Sequence, residues 1–330
     1  MKLMKKQFIE LLNIHATSGN ETPVRDYLKP ILKDLTDEVI TDNYGNLLAE
    51  KKVGTGKGAT IMLSAHMDTV KGVKKERKLV ENRGIISSDV GALGADDRAG
   101  IAIILTVLRN IDKLSFNGTI KIAFSREEEI GCIGSDKINK EWYKDVDLAI
   151  VVDRQGNRDI VVGCGMAFCS NSVGFFMEDV GKLVEQDWKC VEGGISDAMT
   201  FAQNGINSVN LSAGYMNEHT DREYASLADM KDTIRYIMQV FGVINEFYET
   251  FEELPIENRW VKAWYYEKSG KYGNMYSNEY SDDVWAEEYD QNGDIFVYEI
   301  GKDLVIQQGD NEILLSRASL RGLIEQLKNI

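Results

Sequence analysis

Two histidines and three carboxylates, His66, Asp96, Glu129, Asp153 and His219, occur along the chain in the kinds and order that a pair of bridged metal ions requires. They lie in Ala65-His66-Met67-Asp68-Thr69, Gly94-Ala95-Asp96-Asp97-Arg98, Glu127-Glu128-Glu129-Ile130-Gly131, Val151-Val152-Asp153-Arg154 and Asn217-Glu218-His219-Thr220-Asp221. Nitrogen and carboxylate donors without thiolate suit catalytic zinc, cobalt or manganese better than a closed structural zinc. The chemistry expected of the set is hydrolysis assisted by two divalent metal ions.

A histidine ligand must be neutral and held in one tautomer, usually by a carboxylate or carbonyl on its other nitrogen. Asp68 stands two residues beyond His66 on an extended segment, hence on the same face, and is expected to do this. His-x-Asp is weak on its own and gains value only with the rest of the set. Asp96 and Asp97 read equally well as acids at a helix N-terminus or as the source of a bridge between cations about 3.5–4 Å apart. Three consecutive glutamates are ordinarily a solvated charge run. Here they follow the apolar Ile122-Ala123-Phe124 and precede Gly131 and Gly134, at a strand-to-turn junction. Two neighbouring glutamates there can divide the work, one binding metal and the other taking a proton from a water whose pKa the metal has lowered. His15, the third histidine, reads as structural, and no serine elbow, Walker loop or dinucleotide loop accompanies the set.

The elements that must position these groups alternate. Residues 2–15 and 22–34 have amphipathic helical spacing, the second with Thr22 as N-cap and Pro23 at the first helical position. A turn at Asp42-Asn43-Tyr44-Gly45-Asn46 separates two short strands. The run from Ala59 to Ala65 is apolar or small throughout, as in a strand buried on both faces, and His66 falls at its end. Thr119–Phe124 leads likewise into the glutamate triplet and Leu148–Val152 into Asp153, with a helix over 99–111 between. Strands alternating with helices imply an α/β fold with a mainly parallel or mixed sheet flanked by helices. Such sheets place their sites at strand C-termini. A strand at 160–162, a helix over 196–203, a strand at 208–211 and a long helix over 227–251 complete an expected catalytic domain, residues 1–254. Beyond Pro255, Trp260, Trp264 and Trp285 appear among many tyrosines, Asn292-Gly293 signals a hairpin, and further turns fall at Gly301-Lys302-Asp303 and Gly309-Asp310-Asn311. Residues 255–330 are expected to form a small aromatic-rich antiparallel β domain with a final helix over 318–327.

The composition, with 43% apolar residues in 330, is that of a chain with a buried core. A net charge of −15 argues against nucleic acid or anionic membranes as partners. No export signal or membrane span is read in the sequence, and Cys132, Cys164, Cys169 and Cys190 are expected as reduced thiols, which points to the cytoplasm.

The motifs together resemble the co-catalytic zinc exopeptidases, most closely the peptidase T-like branch of the aminopeptidase, carboxypeptidase and acylase superfamily. The matching stretches are Ser64-Ala65-His66-Met67-Asp68-Thr69-Val70, Leu93-Gly94-Ala95-Asp96-Asp97-Arg98-Ala99-Gly100, Phe124 to Gly131, and Gly193-Gly194-Ile195-Ser196-Asp197-Ala198 with the His219 loop. The resemblance implies that Asp96, followed at one remove by the basic Arg98, is the bridging carboxylate. One ion would be held by His66, Asp96 and Asp153, the other by Asp96, Glu129 and His219. It also implies Glu128 as general base for a metal-bridging water, Asp68 as the orienter of His66, and Asp197 as a supporting acid near the substrate pocket. Peptidase T-like enzymes carry a lid or dimerisation domain between the third carboxylate and the last histidine. Only 65 residues separate Asp153 from His219 here, so that domain is expected to be missing.

The expected activity is aminopeptidase action on short peptides. A carboxypeptidase or an N-acyl amino acid deacylase is the first alternative, and an inactive binding or regulatory protein the second. Self-association and the role of the C-terminal β domain are left open by the sequence.

Overall fold

A computed structural model describes residues 2–254 and the backbone of three strands between 295 and 316. In chain order the first unit comprises α1 (Lys2–Leu12), α2 (Thr22–Leu35), β1 (Glu38–Thr41), β2 (Leu47–Val53), β3 (Thr60–His66), β4 (Leu79–Asn82), β5 (Ile85–Ser88), α3 (Ala95–Leu108) and β6 (Gly118–Ser125). It continues with α4 (Ile133–Lys137), α5 (Lys140–Tyr143), β7 (Leu148–Arg154), β8 (Asp159–Gly163), α6 (Asn171–Leu183), β9 (Lys189–Glu192), α7 (Asp197–Gln203), β10 (Ser208–Ser212), β11 (Tyr215–Met216), β12 (Tyr224–Ser226) and α8 (Leu227–Val243). The chain divides into compact units at 1–270 and 271–330.

Eight strands form the main sheet in the order β1-β2-β6-β3-β7-β10-β8-β9. Its centre, β6-β3-β7-β10, is parallel; β1–β2, β2–β6 and β10–β8 are antiparallel, and the edge pair β8–β9 is parallel again. The central strands are buried on both faces: Ile61 to His66, all of β6 and Leu148 to Val152 are inaccessible to solvent. This is why their sequences run apolar without alternation. Helix α3, apolar nearly all round, lies against β3 and β7 beneath α1 and α8, while α7 lies against β7 and β10. A smaller antiparallel sheet, β11-β12-β5-β4, stands apart and joins the segment before α3 to the segment around His219.

Several boundaries differ from expectation for identifiable reasons. The N-cap of α2 is Glu21 rather than Thr22, and its side chain accepts from Gly19 N–H at 2.6 Å and from Arg126 Nε at 2.7 Å. α1 stops at Leu12, short of His15. α8 stops at Val243, not 251, and two short 3₁₀ turns follow. There the exposed Asn245 ties the chain to two strand starts, its Oδ1 accepting from Ala59 N–H at 3.1 Å and its Nδ2 donating to Asn117 O at 2.9 Å. The β4–β5 hairpin and helix α6 were not anticipated. The sequence carried both signals: Arg83 and Gly84 take the positive φ of a tight hairpin turn, and Val173, Phe176, Met177 and Val180 are buried at helical spacing.

In the second unit β13 (Ile295–Ile300), β14 (Asp303–Gln308) and β15 (Asn311–Ser316) form an antiparallel meander, and the turns expected at Gly301 and Gly309 lie outside the described residues. The boundary near Pro255, the Asn292-Gly293 turn and the helix over 318–327 lie outside the described residues.

Gly100 sits inside α3 at its closest approach to the sheet. A Cβ there would stand 2.0 Å from Val152 O and 2.5 Å from both Asp97 carboxylate oxygens. Alanine normally stabilises a helix interior relative to glycine by roughly 0.5–1 kcal/mol. Here overpacking reverses the sign, so Gly100→Ala is expected to destabilise the protein by about 2 kcal/mol or more. Urea unfolding of the two proteins checks this; an unchanged or raised midpoint would refute the packing argument.

Candidate metal centre

Strand register brings the first ligands together. Ser64 of β3 pairs with Val151 of β7, so His66 and Asp153, each two residues further on, emerge at one level and on one face. His66 itself pairs with Ser125, the last residue of β6, and the glutamate triplet turns back over the same end. Asp96 comes from the start of α3. Gly94 there takes a left-handed conformation, the Asp96–Asp97 peptide is cis, and helical geometry begins only beyond Asp97. Asp97 caps the helix that follows, its Oδ1 accepting from Gly100 N–H at 2.9 Å, so the capping reading of the pair holds for Asp97 while Asp96 turns to the histidines. His219 arrives from the β11–β12 connection, where it and Asn217 both have positive φ. Such values in residues other than glycine concentrate at functional sites.

Asp96 divides its two oxygens between the two histidines. Oδ1 lies 2.9 Å from His66 Nε2, and Oδ2 lies 3.1 Å from His219 Nε2. Asp153 Oδ1 stands 3.4 Å from the same His66 nitrogen, and Glu129 Oε2 stands 2.7 Å from the same His219 nitrogen. All five predicted metal-ligating residues thus meet in one cluster. Glu128 Oε2 lies 4.0 Å from His66 Nε2, beside the cluster, and its Oε1 accepts from Cys132 Sγ. Glu127 turns away to Tyr44 OH, which donates to it, and to Arg126. The structure thereby separates the three glutamates, which their spacing alone could not do.

Behind these groups stands a layer of positioning contacts. Asp68 approaches His66 Nδ1 through its carbonyl at 3.1 Å and its Oδ1 at 3.3 Å. The same carboxylate accepts Ser18 OH at 2.8 Å and the N–H groups of Glu128 at 3.1 Å and Glu129 at 3.3 Å. Asn210 holds Asp153 through its main chain on both sides, and Tyr215 OH donates to Asp153 Oδ1 at 3.1 Å. Asp197, at the start of α7, is fully buried and accepts from Ser125 OH. It holds the end of β6 through that bond, and its charge is felt by Glu128 and His66. Sequence reading did not single out Asn210, Tyr215 or Glu223. The last accepts three N–H groups at the Asp96 turn, and its only signal was proximity to His219.

The electrostatics are those of a cation site. Burial opposes charge on His66, yet Asp153, Asp68 and Asp96 hold its pKa well above the ordinary value. Hydrogen bonds from Asp96 and Glu129 push His219 up to about 11. Burial, with Asp96 adding repulsion, pushes Asp153 up to about 8, and burial together with Asp153 raises Glu128 well above the usual carboxylate range. Asp68 is held near 2, because His66, Ser18 and Glu128 N–H outweigh its burial. Two trios of donors, the second including Glu128 and neither including His219, are close enough to hold a cation. Within His66, Asp96 and Glu129, and again within His66, Glu128 and Asp153, one atom per residue lies within 4.8 Å of the others. Buried Glu129 Oε1 has no hydrogen-bond partner among the described residues. A buried, unsatisfied carboxylate oxygen on a residue that already faces an imidazole is what a divalent cation completes.

The family model for Peptidase family M28 matches residues 46–241, more than half of the chain. The uncharacterized protein YqjE of Bacillus subtilis (strain 168) is 30% identical over 228 residues, which are 66% of this chain and 59% of that relative; the chain thus spans about three fifths of its length. A putative aminopeptidase of Acetivibrio thermocellus is 22% identical, covering 71% of this chain and 96% of that protein. The crystal structure of aminopeptidase PepT from Bacillus cereus ATCC 10987 superposes with a TM-score of 0.67 at 18% identity, over 73% of this chain and 98% of that one. The expected α/β architecture is therefore shared with that enzyme. The residues between Asp153 and His219 are used up by β8 to β11, α6 and α7, as the absence of an inserted lid in the sequence implied.

Cations must displace protons from this cluster, so affinity for zinc rises with pH and loading releases protons. Calorimetric titration in buffers of different ionisation enthalpy checks this. With each site filled at about a hundred times its Kd, binding adds roughly 2.7 kcal/mol per site, and the two sites together raise the melting temperature by roughly 10–20 °C for a domain of this size. No difference in melting between chelated and zinc-loaded protein would sink the assignment.

Proposed function

Because the chain belongs to peptidase family M28, we propose that it is a di-metal exopeptidase that removes amino-terminal residues from short peptides. The observation that carries this reading is the division of Asp96 between two imidazoles, each with its own second carboxylate. His66, Asp96 and Asp153 hold one cation and Asp96, Glu129 and His219 the other, with zinc the first choice and cobalt or manganese the alternatives. When bound, the two cations supply Lewis acidity to the scissile carbonyl and acidify water at neutral pH.

The protein's own residues do the rest. Glu128 stands beside the ligands without replacing them, since Glu129 already faces His219. Its carboxylate takes a proton from the attacking water and passes it to the leaving amine. A base tuned upward by burial is suited to this transfer near neutral pH. Asp68 fixes both partners of the step, holding the His66 ring and the Glu128 main chain with one carboxylate. Asp197 supports the end of β6 beneath the pocket through Ser125. The aminopeptidase reading, in preference to deacylase action, is supported by the lid-less arrangement and by the aminopeptidase description of the relatives. No disulfide joins the cysteines at 132, 164, 169 and 190 among the described residues, in keeping with the cytoplasmic location included in the proposal.

Glu128→Gln is expected to lower kcat by roughly 10²–10⁴-fold while retaining two metal ions per chain. This is read from a free-amine dipeptide substrate alongside metal analysis. Cleavage of N-acetylated amino acids in place of free-amine peptides would transfer the assignment to a deacylase. Two bound metals with no hydrolysis of either substrate would favour the binding protein.

A further inference from the structure

The second metal site is supported less directly than the first. His66 and Asp153 project from buried strands paired at the sheet centre, whereas His219 lies on a loop and its side chain is 46% exposed. What locates that loop relative to Asp96 is Glu223. Its Oε2 accepts from Gly94 N–H at 2.9 Å, and its Oε1 accepts from Ala95 N–H at 2.6 Å and Asp96 N–H at 3.2 Å. The residue is buried, with 2% of its surface exposed, and it immediately precedes β12, which pairs with β5. Its own N–H donates to Thr220 O at 3.2 Å, closing the turn that begins at His219.

We propose that Glu223 is the positioning residue of the metal site formed by Asp96, Glu129 and His219, clamping the His219 loop to the main chain of the bridging aspartate. This rests on the di-metal reading above. Four residues of chain tie Glu223 to His219, and three hydrogen bonds tie it to the segment that ends in Asp96. The separation of His219 Nε2 and Asp96 Oδ2 is therefore fixed by the protein. A ligand pair fixed in this way binds a cation without first ordering a loop, and outer partners of this kind typically contribute 10–100-fold in metal affinity.

The consequence is selective. Loss of the clamp weakens one cation and leaves the other, held by His66 and Asp153 on their strands, nearly unchanged. Glu223→Gln keeps the shape but offers one acceptor oxygen to three N–H groups, and Glu223→Asp keeps the charge but shortens the reach. Zinc binding to apoprotein, followed by equilibrium dialysis, is expected to show one site per chain of native affinity and one weakened about 10–100-fold in Glu223→Gln, with Glu223→Asp between the two. Activity should return at high zinc with native KM. Adding Glu223→Gln to His219→Ala should weaken the second site little further, because both act on the same ligand set.

Native affinity at both sites in Glu223→Gln, or equal weakening at both, would overturn the proposal. So would failure of both Glu223 variants to fold in zinc-free buffer, which would assign the residue to stability instead. A native protein that binds fewer than two zinc ions would overturn the di-metal reading itself, a result visible before any variant is compared.

Discussion

Negative charge, buried and crowded, is the condition from which the rest of this molecule follows. Asp68, Asp96, Asp97, Glu128, Glu129, Asp153, Asp197 and Glu223 gather at one end of the sheet around two imidazoles. Carboxylates taken out of water repel one another strongly and are tolerated only when paired with cations or kept neutral by protons. The shifts divide accordingly: His66 and His219 are pushed up by the acids, Asp97, Glu128, Asp153 and Asp197 are pushed up by burial, and Asp68 and Asp96 are held down where imidazoles outweigh their burial. Divalent cations at the proposed sites would relieve this repulsion.

The fold meets the condition unevenly. Two ligands come from fully paired central strands, where register sets their level. The others come from connections, the Glu129 turn held by Asp68 and the His219 loop held by Glu223. In each loop a carboxylate outside the ligand set accepts main-chain N–H groups and converts a flexible segment into a fixed one. Charge is thus used twice, as ligand in the inner groups and as an acceptor for backbone donors in the outer ones. The small sheet has the same logic, since β5 and β12 pair on either side of the segments carrying Asp96 and His219.

Much of this was legible in the sequence because the inner groups belong to short, punctuated motifs. An unbroken apolar run ending in His66, and another ending in Asp153, can be read as buried parallel strands whose ends must meet. The division of labour among Glu127, Glu128 and Glu129 was not legible from spacing, because it depends on Tyr44 and Arg126 drawing the first away from the cluster. Glu223, Asn210 and Tyr215 escaped notice for the same reason: they act on main-chain atoms or on another ligand's carboxylate from distant parts of the chain. Long-range positioning of this kind leaves no periodicity. The α8 terminus was misplaced likewise, since Asn245 bonds to Ala59 and Asn117, which precede β3 and β6.

Arg98 shows how the site keeps its ligands available. Its guanidinium is buried, donates to Met67 O at 2.6 Å, and faces the charges of Asp68 and Asp97. Burial lowers its pKa only to about 10, so it remains a cation at neutral pH. A fixed positive charge among Asp96, Glu129 and Asp153 would compete with the metal ions for the same oxygens. Placed behind two acids that are not ligands, it offsets their repulsion and leaves the ligand oxygens unneutralised. A lysine, with a pKa that falls more readily on burial, would risk losing the charge that this position requires. The basic residue that follows the bridging aspartate therefore belongs to the electrostatics of the metal centre even though it touches none of its ligating atoms.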